Sequence, residues 1–201
     1  VASLVGSLAL ATNAALAAES ARQLGAHEHG TGTLNIAIDG TSVALELDVP
    51  GADIVGFEHV PKTPVETAAV EKARALMSTP LDLFKLPAAA GCTVKSTEIE
   101  AGTPEADEPA SANKGVDAKP DAQATKREPH PSAAVEEPHA EYHARYALDC
   151  KAPERLTTIE FAYFKAFAGA QRLKVAIITA KAQSSFEATR AKPTLDLGGL
   201  M

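Results

Sequence analysis

TLNIAIDGTSVALELDVP, residues 33–50, alternates apolar and other side chains on both sides of a turn dipeptide. Leu34, Ile36 and Ile38 fall on every second position. Asp39-Gly40 follows, and then Val43, Leu45, Leu47 and Val49 again take alternate positions. A period of two places such residues on one face of a strand, and Asp-Gly between two such runs predicts an antiparallel hairpin with one apolar face. Pro50 ends the second strand, because proline cannot donate to a ladder.

Outward from the hairpin, Thr63-Pro64-Val65-Glu66 has the spacing of a capping box, with proline at the first helical position. The spacing predicts a helix whose buried face carries Val65, Ala69, Ala73, Leu76 and Met77, stopped by Pro80. Cys92 to Glu100 reads as a strand whose apolar face, Cys92 and Val94, weakens outward. From residue 139 the odd positions, His139, Glu141, His143, Arg145 and Asp149 among them, are polar. The even ones, Tyr142, Ala144, Tyr146, Leu148 and Cys150, are apolar. That is a half-buried strand. Thr157–Phe161 reads as a further strand and Leu173–Ala180 as a central one, paired with Ser185–Thr189. From Pro193 onward a tail is expected. Together these elements predict an α+β fold, a mainly antiparallel β-sheet with one substantial helix.

Composition changes sharply after Glu100. Residues 101–138 hold six prolines and nine alanines, no aromatic residue, and only Val116 and Val135 as larger aliphatics. Such a segment cannot bury enough surface to offset its ordering entropy, so a long disordered insertion is expected. It divides one domain into a first part, 18–100, and a second part, 139–201. Ahead of them, Val1–Ala17 is an uncharged apolar stretch ending in Ala15-Leu16-Ala17, a small-residue cleavage pattern. It reads as a signal peptide with a truncated n-region, which places the mature protein in the periplasm. No other segment has the length and hydropathy of a membrane span, so a chain that is not membrane-embedded is expected.

The net charge of -7 argues against nucleic acid and anionic membranes as partners and suits a protein that attracts cations. Cys92 and Cys150 are the two cysteines of the chain. In an oxidising compartment such a pair most simply forms a disulfide; the rival reading is two soft metal ligands. A bond would close a 58-residue loop (150 minus 92) and would lie near the two mouths of the insertion. The chain-entropy relation values such a closure at roughly 4 kcal/mol.

Six histidines carry the chemical signal. His27-Glu28-His29 sets two imidazoles on one face of extended chain, about 7 Å apart at Cα. Phe57-Glu58-His59 follows the second strand of the hairpin. Antiparallel pairing returns the end of that strand to the start of the first, so His59 is expected beside His27 and His29 on one zinc ion. A water, His139 or Glu141 would fill a fourth, exchangeable position. Glu141 and His143 are ligands of second rank, sharing one strand face with His139, and His130 is a weak auxiliary. Nitrogen and carboxylate ligands of this kind suit zinc. Neutral imidazoles are required, so affinity should weaken as pH falls through about 6.5. Enzyme classes find no support: there is no GxSxG and no HExxH, and Gly30-Thr31-Gly32 lacks the Gly-Lys-Ser/Thr of a phosphate loop. No catalysis is expected.

The runs AHEHGTGTLNIAIDGTSVALELDVPGADIVGFEHVP, LFKLPAAAGC and HAEYHARYALDC resemble the ZrgA-like periplasmic zinc-uptake proteins. The resemblance covers nearly all of the expected folded part. It implies zinc binding and work beside an ABC-type zinc importer. In that family the insertion is often rich in histidine and acidic residues; here it keeps the acidic residues but holds only His130, with His139 at its edge. Other classes consistent with the residues are a structural or adaptor domain with incidental histidines, and a copper-binding protein. Copper handling is disfavoured by a chain whose methionines are Met77 and Met201. The leader assignment predicts that N-terminal sequencing of the exported protein begins at Ala18; an intact Val1–Ala17 segment on the mature protein would contradict it.

Overall fold

The alternating stretch folds as the hairpin its pattern requires. The computed structural model describes residues 28–102 and 140–201. Along the chain the strands are β1 Thr31–Asp39, β2 Ser42–Pro50, β3 Phe84–Lys85, β4 Cys92–Gly102, β5 Glu141–Cys150, β6 Thr158–Phe161, β7 Arg172–Thr179, β8 Gln183–Thr189 and β9 Thr194–Asp196. The helices are α1 Gly51–Val55, α2 Pro64–Met77, α3 Pro80–Leu83 and α4 Tyr163–Ala166. Ala101 and Gly102, the first two residues of the expected insertion, belong to β4; the rest of it, like the leader, lies outside the described residues.

β1 and β2 pair antiparallel, with Leu34 opposite Leu47, Ile36 opposite Leu45 and Ile38 opposite Val43. All six side chains are buried. The hairpin forms the centre of a six-stranded sheet in the order β4-β5-β2-β1-β7-β8. Its pairings are antiparallel except β1 with β7, which run parallel. The apolar strand at 173–180 lies inside the sheet: β7 pairs with β1 on one side and with β8, the edge strand, on the other. A second sheet, β3-β6-β9, is small. The expected tail supplies its last strand, where Leu195 pairs with Ile159 and both are buried. A three-residue strand is too short to show a period in sequence.

One hydrophobic cluster joins the two sheets and the helices. Phe84 of β3 meets Tyr146 of β5 edge-on and stacks on Tyr163 of α4, while Phe161, Phe164 and Phe167 close the same cluster. Burying each such ring contributes about 1.5–3 kcal/mol, so few aromatics suffice when nearly all are buried together. α2 has the expected capping box, Thr63 with Glu66. Ala73 and Met77 are its buried residues, but Val65 is 79% exposed. The stripe through Ala73 and Met77 continues back to Glu66, seven residues before Ala73, and Val65 lies a further 100° around the helix. No helix among the described residues is long and apolar enough to cross a membrane.

β4 explains its own weak pattern. The register shifts between Val94 and Ser96, a bulge at Lys95. Before it, Cys92 and Val94 share the face of Cys150 and Leu148; after it, Thr97, Ile99 and Ala101 face Tyr146, Ala144 and Tyr142. One inserted residue switches the inward positions from even to odd. Cys92 and Cys150 are directly opposite one another and form the disulfide. Its position differs from the expected one. Cys92 starts β4 and Cys150 ends β5, whereas the insertion leaves and re-enters at the other end, where Gly102 pairs with Glu141. The bond clamps the far end of the ladder, on the order of 30 Å from those mouths at the usual strand rise. Replacing both cysteines by alanine is expected to lower the unfolding free energy by about 2–4 kcal/mol. Urea titration measures it; an unchanged midpoint would show that the β4–β5 ladder needs no clamp.

Candidate metal centre

At one end of the large sheet, β1 begins, β2 ends and β5 begins. Register fixes this: Thr33 lies opposite Asp48, and Pro50 opposite Glu141. The chain from Gly51 to Glu58 then wraps around the start of β5. Gly51 N–H donates to the Ala140 carbonyl at 2.7 Å, and Ala140 N–H donates to the Glu58 carbonyl at 3.0 Å. A Cβ on Gly51 would sit 2.7 Å from the Ala140 oxygen, so only glycine permits the approach.

α1 carries the one buried charged residue among those described, Asp53. Its Oδ1 accepts the Gly30 N–H at 2.7 Å. Gly30 has a φ of +82°, the turn that directs the preceding residue away from β1. That preceding residue is His29. Its Nδ1 lies 3.5 Å from Glu58 Oε1, and the ring is 67% exposed while the Glu58 side chain is 15% exposed. Desolvation pushes the Asp53 carboxyl above its ordinary value, against the opposing hydrogen bond from Gly30 and the charge of His29.

His59 is held differently. Nδ1 lies 2.9 Å from the Val60 carbonyl, a bond that requires Nδ1–H, and the ring stacks on Phe57 at 4.9 Å. Nε2 faces Glu66 Oε1 at 3.8 Å. Glu66 is already engaged at the start of α2, where its other oxygen accepts the backbone N–H of Lys62 and Thr63 at 2.6 and 3.0 Å. These bonds, that from Lys62 foremost, hold its carboxyl below the ordinary range. His29 and His59 thus lean on different carboxylates.

The most enclosed of the three histidines is His143, on the outer face of β5. Asp48 of β2 and Glu100 of β4 are its register partners. Nδ1 lies 2.5 Å from Asp48 Oδ1, and Nε2 lies 3.1 Å from Glu141 Oε2. The imidazole is 18% exposed and Glu141 14%. Glu100 is drawn away to Arg145, which it meets at 3.3 Å while Arg145 also holds Glu46 at 3.2 Å.

Among the described residues no group of three or more His, Cys, Asp or Glu side chains is set to hold a metal ion. His27, His130 and His139 lie outside the described residues. The described ones bring Glu141 and His143 together and place His29, just before β1, against Glu58 and His59, between α1 and α2, against Glu66. Asp48 and Glu58 are additional members of this end of the sheet. Asp48 sits on the polar alternation of β2, a visible signal, but only the β2–β5 pairing reveals what it faces. Glu58 lies within the Phe57-Glu58-His59 run, and its contact with His29 distinguishes it. A family model described as ZrgA family zinc uptake protein matches residues 26–197, a span that includes all of these positions. The chain matches no curated protein.

Asp53 makes a separable prediction. Asp53→Ala orphans the Gly30 N–H and should cost about 1–3 kcal/mol. Asp53→Asn keeps an acceptor and should cost less. Because burial raises the Asp53 pKa, the folded state binds its proton more readily than the unfolded state. The parent's stability relative to Asp53→Asn should therefore rise as pH falls from neutral toward the ordinary 3.8. Thermal melts of both proteins at neutral and mildly acidic pH check the sign; a constant difference would contradict it.

Proposed function

We propose that this chain, which belongs to the ZrgA family of zinc uptake proteins, is a periplasmic zinc-binding protein that hands its ion to an ABC-type zinc importer and performs no catalysis. The observation that carries the proposal is the gathering of histidine–carboxylate pairs at one end of the sheet: His29 with Glu58, His59 with Glu66, and His143 with Glu141. Imidazole nitrogen and carboxylate oxygen are the donors of zinc sites outside cysteine clusters. His27 and His139 adjoin this region in the sequence, next to His29 and Glu141. The metal ion is cargo here, so partly exposed ligands suit release better than a closed cage. A net charge of -7 favours cation capture, and the Cys92–Cys150 bond fits an oxidising compartment.

Within this proposal the ranking of ligands changes. His27, His29 and His59 lead on sequence spacing, but His143 and Glu141 are the more preorganised pair. Two enclosed side chains with a short approach lose less freedom on binding than two exposed ones. His29 and His59, which lean on Glu58 and Glu66, are then ligands of lower rank.

Calorimetric zinc titration of the parent, His29→Ala, His59→Ala and His143→Ala proteins tests the assignment. The parent should take up zinc. His143→Ala should lose more than the roughly 10–100-fold that outer-shell changes cost. His29→Ala and His59→Ala should weaken binding less. A parent that takes up no zinc would return the chain to an adaptor with incidental histidines. Importer work predicts that a deletion strain grows poorly in chelated medium and recovers with added zinc; normal growth there would refute it.

A further inference from the structure

We infer that Asp48 is a positioning residue for metal capture, orienting His143 so that Nε2, beside Glu141, is the ligating nitrogen. The inference rests on the zinc-binding proposal above and assigns roles within it. The geometry separates the two carboxylates around the ring. Asp48 Oδ1 approaches Nδ1 at 2.5 Å, and Glu141 Oε2 approaches Nε2 at 3.1 Å. An ionised carboxylate only accepts hydrogen bonds, so the Asp48 contact requires a proton on Nδ1. Nε2 also faces a carboxylate, that of Glu141, so zinc there would displace any proton on Nε2, whereas the 2.5 Å Asp48 contact is too close for two ligands of one ion and keeps the proton on Nδ1.

The 3.1 Å separation also fits the Glu141 side. Two ligands at about 2.0–2.1 Å from one tetrahedral zinc lie roughly 3.3 Å from each other. Nε2 and Oε2 are therefore already near the spacing of two ligands on one ion. Asp48 cannot share that ion without giving up Nδ1. A carboxylate on the distal nitrogen is the usual outer-shell partner of a metal-bound histidine: it fixes the tautomer, fixes the ring plane and raises ligand basicity.

The fold supplies this arrangement through register. Asp48 and His143 are direct partners across β2 and β5, and Asp48 is on the strand that the hairpin locks in place. The competing acid at this level, Glu100 on the other neighbouring strand, is held by Arg145 together with Glu46. One arginine thus removes the candidate that would otherwise contend for the ring. Glu141, two residues before His143, presents its carboxylate from the same strand face.

Zinc calorimetry on the full chain with Asp48→Ala and Asp48→Asn, beside the parent and His143→Ala, tests the assignment. Asp48→Ala should weaken zinc binding about 10–100-fold. Asp48→Asn keeps an acceptor for Nδ1–H and should recover part of that loss. Thermal melts of the metal-free proteins in chelator report what loss of the Asp48–His143 contact costs the fold, and zinc affinities are compared at a temperature where every variant is folded. Nitrogen NMR of the zinc-loaded parent should show His143 protonated at Nδ1 and metal-bound at Nε2. If His143→Ala loses zinc while both Asp48 variants bind like the parent, Asp48 has no positioning role, and the zinc-binding proposal survives. Metal on Nδ1 of His143 would overturn the inference in the same way. A parent without zinc affinity would overturn both.

Discussion

The antiparallel ladder between β2 and β5 is the constraint on which the rest depends. It runs from Ser42 opposite Asp149 to Pro50 opposite Glu141 and joins the two halves of the domain across the interrupted sequence. Because side chains alternate, a slip of one residue would exchange the two faces of β5. Tyr142, Ala144, Tyr146 and Leu148 would leave the core, and Glu141 and His143 would enter it. Burial therefore specifies the register, and the register places Asp48 beside His143. Core packing and the Asp48–His143–Glu141 arrangement are set by the same pairing.

The disulfide and the wrapping loop secure the two ends of this ladder's neighbourhood. At the far end Cys92 and Cys150 tie the edge strand β4 to β5. At the near end the Gly51–Glu58 chain holds Ala140 on both its N–H and its carbonyl. Asp53 then fixes the turn at Gly30, and with it the position of His29. A buried carboxylate with a single backbone donor is a costly way to hold a turn. The position it fixes bears His29, one of the proposed ligands, so the cost falls where placement matters.

Much of this was legible in the residues, wherever one period ran unbroken. The hairpin and the half-buried strand from residue 141 each carry five or more positions in phase, and the helix is announced by its capping box. Legibility failed where the phase breaks or the element is short. The bulge at Lys95 hid the inward face of Ile99 and Ala101, and β9 gave no period to read. Val65 belongs to an amphipathic helix but to the wrong side of its first turn. The two cysteines announced a bond, yet only the β4–β5 pairing revealed which end of the ladder it closes. The histidines and Glu141 were visible as candidates from the start; Asp48, Glu58 and Glu66 were not visible as their partners. Asp48 and His143 lie 95 residues apart, and Arg145 reaches Glu46 over 99. Partners at that distance are products of sheet order, which local pattern does not determine. His27 and His139 lie outside the described residues, so the sequence spacing remains the ground for including them.

The central claim is that this end of the sheet, where β2 ends and β5 begins, is where the protein takes up zinc. A crystal of the zinc-loaded protein, with anomalous diffraction recorded on both sides of the zinc absorption edge, measures it directly. The account predicts a zinc peak within bonding distance of His143 Nε2 and Glu141 Oε2, with Asp48 still on Nδ1. A peak bound only by residues elsewhere on the chain, or none at saturating zinc, would contradict it.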